Sequence, residues 1–236
     1  MHSDPGSSYR RDIDGLRAVA VVAVIVHHYF LELLPSGFLG VDVFFVISGY
    51  VITQSLVKIE AGSLAGYLAV FYSRRVRRLM PALLFCVAVT STAFLLLASE
   101  PPEEVFRTGA LALLGLSNLY LANSANDYFS LATQLNPFTQ TWSLSVEEQF
   151  YLLYPPLLAF VGLACRPRAG AATGAQKSLF VLSCISLLLY LYLQQRNTPL
   201  AFYMMPARFW ELCAGGMLYL AAREQQRSRL DRKSVV

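Results

Sequence analysis

The sequence predicts an all-α integral membrane protein, a polytopic bundle of about six transmembrane helices plus one re-entrant or partial helix, seven apolar segments in all. Three observations carry that prediction. Of 236 residues, 56% are hydrophobic and only 14% charged, against about 25% charged in a soluble domain; the mean hydropathy is +0.48. Apolar windows of roughly 20 residues, enough to cross about 30 Å of hydrocarbon, recur along the chain. The basic residues fall in short clusters between those windows, as cytoplasmic loops do under the positive-inside rule. The net charge of +4 is mild and needs no nucleic acid to explain it.

The windows are Ala18–Leu34, Phe38–Val57, Leu79–Ala98, Val146–Cys165 and Leu200–Ala222, with a shorter uncharged one at Leu179–Leu193. Val105–Ala122 is weaker, because Arg107 lies inside it and Gly109, Gly115 and Asn118 interrupt it. Arg10, Arg11 and Arg17 put the N-terminus in the cytoplasm, and two crossings later the cluster Arg74, Arg75, Arg77 and Arg78 is cytoplasmic again. The acidic turn Ser99–Glu104 then falls outside. Counting Val105–Ala122 as a full span would export every later basic cluster; as a re-entrant or surface-lying element it returns them to the cytoplasm, with the loop Asn123–Thr141 outside. Residues 1–222 form one transmembrane domain and 223–236 a basic cytoplasmic tail, with a flexible Gly/Ala-rich link at Arg166–Lys177. The first window runs on without a small-residue cleavage site and is an uncleaved span rather than a signal peptide. Four scattered cysteines have neither disulfide-framework nor metal-ligand spacing, so no metal is expected.

Four clusters exceed what a passive bundle needs. In the first, Arg17 precedes His28 by eleven residues, within about 20° of three full turns, so the two share a face roughly 16 Å apart along the axis; His27 points about 100° away. An imidazole at membrane depth is a functional-site hypothesis by default; the plain alternative is a hydrogen bond to a neighbouring helix near the outer interface. In the second, Gly37–Thr53, Asp42 is the lone charge and implies a cationic or donor partner, functional or simply a membrane arginine. Ser48-Gly49 in the same stretch makes a notch for close helix approach. The third, Arg74–Pro81, is either a topology signal and lipid contact or a set of forked guanidiniums for phosphates. The fourth, Thr141–Pro155, opens an apolar helix with Glu147, Glu148 and Gln149, more carboxylates than capping requires. Arg208 and Glu211 form a lesser i,i+3 pair that neutralises itself.

Together, DIDGLRAVAVVAVIVHH, GFLGVDVFFVISGYVIT, FYSRRVRRLMPALL and TWSLSVEEQFYLLYP, with PARFWELCAGGML as a weaker fifth stretch, resemble the acyltransferase family 3 membrane O-acyltransferases of bacteria. The resemblance implies transfer of an acyl group, acetyl above all, from cytoplasmic acyl-CoA to a hydroxyl of an extracytoplasmic glycan, such as lipopolysaccharide or another surface polysaccharide or glycolipid, at the bacterial inner membrane. It makes Arg17 and His28 the family's essential pair. Arg75 and Arg78 match its Arg-x-x-Arg element, the expected acyl-CoA site. Glu147 matches the first acid of Val-Glu-x-Gln, and Asp42 the Gly-Val-Asp element. Members usually carry about ten spans, so the expectation is a chain lacking the last helices, completed by a further segment or a second subunit.

On this reading His28 is the general base on the acceptor hydroxyl, worth roughly 10²–10⁴-fold, Arg75 and Arg78 hold the donor's phosphates, and Arg17 binds the donor or holds Asp14. The rivals are a proton-coupled transporter or flippase with His28, Asp42 and Glu147 as relay, which the lack of a repeated half disfavours, and an inactive truncated membrane fragment.

Overall fold

The computed structural model describes residues 11–98, 103–124, 136–162 and 171–233, with side chains from 172 to 226 in the last stretch. Every regular element among them is helical: α1 (Arg11–Tyr29), a 3₁₀ turn (Gly37–Leu39), α2 (Gly40–Val57), α3 (Leu64–Leu97), α4 (Glu103–Leu113), α5 (Ser117–Ser124), α6 (Thr141–Phe160), α7 (Ala171–Arg196), α8 (Thr198–Tyr203) and α9 (Met205–Lys233). By length and composition alone, three stretches can cross a membrane: Gly37–Val57, Leu64–Leu97 and Ala172–Arg196. The chain is thus an all-α membrane protein. The other expected crossings rest on shorter or more polar helices. Most of the acidic turn, the interior of the loop after Asn123, Cys165 and the start of the Arg166–Lys177 link lie outside the described residues.

Three windows take a different form from the one expected. Leu79–Ala98 is only the second half of α3, a 34-residue helix about 51 Å long at 1.5 Å per residue. Ser63 caps its start, its hydroxyl accepting from the Gly66 amide at 3.2 Å. Only the apolar half, Leu79 onward, matches the roughly 30 Å of hydrocarbon; Arg74–Arg78 stand at the boundary. Leu200–Ala222 is divided, because α8 ends at Tyr203 and a new helix starts at Met205-Pro206, proline being tolerated in a helix's first turn. Val105–Ala122 breaks at Gly115, whose φ of 67° is open to glycine without strain. Its pieces, α4 of 11 residues and α5 of 8, are each too short to cross hydrocarbon.

Glycines set the helix pairing. A Cβ on Gly37 would strike the Ala23 carbonyl and His27 Cβ, and one on Gly40 the Ala20 carbonyl, so α1 lies antiparallel against the start of α2. Gly49 faces the backbone of Leu212, and Gly215 faces the Val46 carbonyl and the Tyr50 amide. This is the small-residue notch expected at Ser48-Gly49, with α9 as its occupant. Asp42 meets Arg208 while Thr53 lies against Gly216, so α2 and α9 run parallel. The start of α1 and the basic end of α9 therefore lie at the same end of the bundle. The core between α2, α3, α6 and α9 is filled by Phe45, Phe71, Phe150, Tyr154, Leu158 and Leu212. Outward on α3, Leu84, Phe85, Val89 and Leu96 are exposed, as expected of a lipid-facing surface.

Candidate active site

Four helices each turn one stripe of side chains into a common cavity of about 270 Å³. From α2 come Phe44, Ile47, Ser48, Val51 and Ile52, the i, i+3, i+4, i+7, i+8 pattern of one helix face. Ser143, Glu147 and Tyr151 arrive from α6 at intervals of four. Arg75, Arg78 and Leu79 come from α3, and Arg17 from α1. Residues more than a hundred positions apart thus converge because each repeats at helical period.

Glu147 lies at the back, 5% exposed, and both its carboxylate oxygens accept hydroxyls. Ser48 Oγ donates to Oε1 at 2.5 Å and Tyr151 Oη donates to Oε2 at 2.7 Å. Two hydroxyl contacts, one on each oxygen, tether the carboxyl group from both sides. The Arg75 guanidinium lies 5.3 Å from the centre of the Tyr151 ring and 5.5 Å from that of Phe71. Tyr151 therefore carries a cation on its face and a carboxylate on its hydroxyl. Arg17 lies 5.3 Å from the Phe44 ring centre; Asp14 is exposed. Three guanidiniums face one carboxylate, so the cavity is cationic and has fork-shaped donors to spare for an anion. That donor set fits the phosphates of an acyl-CoA.

The neighbours of Glu147 do different work. Gln149 donates to the Gly115 carbonyl at 2.9 Å and to Asn118 Oδ1 at 2.7 Å, while Asn118 Nδ2 donates to the Tyr203 carbonyl at 3.0 Å. The amide pair thus satisfies backbone freed by the α4–α5 break and pins that break to α6 and α8. Glu148 packs against Gly115, where a Cβ would meet its Oε2. Around the same break, Ser117, Thr141 and Ser145 share hydroxyl bonds of 2.8 and 2.9 Å.

Of the residues singled out in the sequence, Arg17, Arg75, Arg78 and Glu147 are brought together. His28 and Asp42 are not. His28 is exposed in the last turn of α1, its Nδ1 2.8 Å from the Val24 carbonyl. A carbonyl only accepts, so Nδ1 carries the proton and the neutral ring keeps its lone pair on Nε2. His27 makes the same kind of bond to the Leu34 carbonyl at 3.1 Å and meets Phe38 edge-on at 5.6 Å. Asp42 has its implied partner: Arg208 Nη1 donates to Asp42 Oδ1 at 3.0 Å and to Glu211 Oε1 at 2.7 Å. Arg208 Nε also donates to the Phe202 carbonyl at 3.2 Å, which ties α2, α8 and α9 into one buried knot. The i,i+3 pair expected at Arg208 and Glu211 is therefore one side of a three-residue cluster. Ser48 and Tyr151 are the site residues that sequence reasoning missed. Tyr151 carried a usable signal, its i+4 spacing from Glu147; Ser48 carried none beyond its place in the notch.

A second, apolar cavity of about 210 Å³ adjoins the first, lined by Ala20, Val21, Val24, Ile25, Gly40, Val41, Phe44 and Ser143.

The acyltransferase-domain model of acyltransferase family 3 matches residues 10–236. O-acetyltransferase OatA of Staphylococcus aureus strain NCTC 8325 / PS 47 is 38% identical over 179 residues, 76% of this chain and 29% of OatA. OatA of strain MRSA252 matches to the same extent. This chain thus corresponds to less than a third of the length of these relatives. No solved structure matches. With a family model covering nearly all of its length, the chain belongs to acyltransferase family 3.

Proposed function

We propose that this chain carries the donor side of a membrane O-acyltransferase, which moves an acetyl group from cytoplasmic acyl-CoA to a hydroxyl of an extracytoplasmic glycan or glycolipid. The observation that carries the reading is the cavity itself, where Arg17, Arg75 and Arg78 face inward around the hydroxyl-tethered Glu147. Acyl-CoA supplies an activated thioester carbonyl. Arg75 and Arg78 bind its phosphates, Arg17 adds a third positive charge deeper along α1, and Glu147 holds Tyr151 and, through that ring, Arg75 in place. His28 takes the proton from the acceptor hydroxyl on Nε2, the nitrogen that its bond to Val24 leaves unprotonated; the acceptor oxygen bonds to the thioester carbonyl carbon, the C–S bond breaks, and the departing coenzyme A thiolate takes that proton from the imidazolium. That OatA is named an O-acetyltransferase favours acetyl as the group and oxygen as the acceptor.

The orientation follows from the charges. The start of α1, the arginines of α3 and the basic end of α9 belong in the cytoplasm of a bacterial inner-membrane protein. His28 then lies toward the exterior, eleven residues and about 16 Å along α1 from Arg17. A proton relay through His28, Asp42 and Glu147 finds less support, since the three lie in separate surroundings and Asp42 is already paired with Arg208. The reading is tested by mass spectrometry of surface glycans with and without the gene, complemented by the wild-type or His28→Ala form of the full-length protein. Acetyl groups restored by wild type alone support it; glycans identical in all strains contradict it.

A further inference from the structure

Arg75 is carried by a helix that is mostly exposed. Of the 34 residues of α3, only Tyr67, Phe71, Leu83 and Val87 are buried. The first two pack into the main core before the arginines, the last two into a separate cluster with Val105 and Phe138 after them. Between these anchors α3 runs past the cavity. Apolar packing is non-directional and leaves the roll of that stretch weakly fixed.

A polar contact fixes it. Tyr72 Oη donates to the Leu152 carbonyl of α6 at 3.0 Å. That carbonyl is open because residue 156 is a proline inside the helix. In an α-helix the amide of residue 156 bonds to the oxygen of residue 152, and proline has no amide hydrogen to give. The break in the α6 ladder thus supplies the acceptor that α3 needs. Tyr72 and Arg75 are i and i+3, about 60° apart around their helix. Leu152 directly follows Tyr151, whose ring centre lies 5.3 Å from the Arg75 guanidinium. Phe71 completes the contact, edge-on to Tyr72 at 5.5 Å and to Tyr151 at 6.3 Å.

We propose that Tyr72 is a positioning residue for the donor site, a role that rests on the reading of the arginine cavity as the phosphate site. Its bond to the carbonyl that Pro156 leaves open sets the roll of α3, so that Arg75 lies over Tyr151 and faces the cavity. A hydrogen bond is directional where apolar packing is not. A helix rolled by one residue, about 100°, takes Arg75 out of the cavity. This role differs from satisfying a backbone oxygen, which any donor, water included, would serve.

Two substitutions separate the roles, read on the purified full chain in detergent by calorimetric titration with acetyl-CoA and by thermal unfolding. Tyr72→Phe keeps the ring and removes the bond. It is expected to weaken acetyl-CoA binding by about three- to tenfold, the range of one neutral hydrogen bond, and to lower the unfolding temperature. Adding Pro156→Ala gives the Leu152 carbonyl an amide from its own helix, so the double variant recovers its unfolding temperature while its affinity stays low. Affinity that returns with stability, or wild-type affinity in Tyr72→Phe, overturns the assignment. Coupling to the arginine is read in an Arg75→Ala background, where Tyr72→Phe should have no further effect because the group it positions is gone. An equal loss in both backgrounds overturns the positioning role and leaves the phosphate site standing. Arg75→Ala that binds acetyl-CoA like wild type removes the phosphate-site reading, and the role of Tyr72 with it.

Discussion

Ser48 and Glu147, ninety-nine residues apart, meet through a buried hydrogen bond of 2.5 Å that joins α2 to α6 across the floor of the arginine cavity. With Tyr151 on the other oxygen, this contact fixes a carboxylate among three guanidiniums, and the electrostatics of the site depend on it. Removing a donor from a buried charged acceptor costs about 1–3 kcal/mol. Ser48→Ala and Tyr151→Phe are each expected to lower the unfolding temperature in detergent and weaken acetyl-CoA binding, while Ser48→Thr retains both. Wild-type behaviour in Ser48→Ala would show that the carboxylate does not need its tether.

His28 lies outside the arginine cavity, so its loss should separate binding from transfer. His28→Ala is expected to bind acetyl-CoA like wild type and to lose transfer by roughly 10²–10⁴-fold in the full-length enzyme. Calorimetric titration and a radiolabelled acetyl-transfer assay read the two quantities independently. Normal transfer by the variant would remove the base assignment.

Arg208 stands between two acidic side chains, 6% exposed itself and beside a Glu211 that is 1% exposed. Deleting the cation leaves the buried Glu211 carboxylate unpaired beside the partly exposed Asp42, and a broken buried pair costs about 3–5 kcal/mol. Arg208→Ala should therefore abolish folding or depress thermal stability severely. Arg208→Met combined with Asp42→Asn and Glu211→Gln should recover much of it, because all three charges are then gone.

Glycine substitutions divide by what a Cβ would meet. Gly49→Ala and Gly215→Ala drive a methyl into the backbone of the partner helix and should cost about 1–3 kcal/mol, as overpacking does. Gly15 has nothing within 4 Å of its would-be Cβ, so Gly15→Ala should be neutral or stabilise by about 0.4–1 kcal/mol. Thermal unfolding of the three variants side by side checks the ordering.

What the sequence disclosed follows from what is local. The Arg17-to-His28 register and the arginines before Pro81 are visible at helical period, and so are the paired acids Glu147 and Glu148, although these do not open their helix as expected: α6 begins at Thr141, nearly two turns earlier. Contacts between distant segments leave no period. Nothing near Ser48 indicates Glu147, and nothing near Asp42 selects Arg208, 166 residues away. Hydropathy also overlooks breaks and joins: it fused α8 with the start of α9 across Met204, and it started a span at Leu79 although α3 runs through Pro81 from Leu64. The weakness of Val105–Ala122 was legible because its cause, Gly115, is a local one.

The central claim is that the three-arginine cavity holds the donor. Titration of acetyl-CoA into the purified chain, wild type against Arg75→Ala/Arg78→Ala, tests it most directly. Two lost charge-assisted contacts at about 1.5–3 kcal/mol each predict a fall in affinity of at least about a hundredfold, with the helical fold kept. Equal affinity in the double variant would contradict the account.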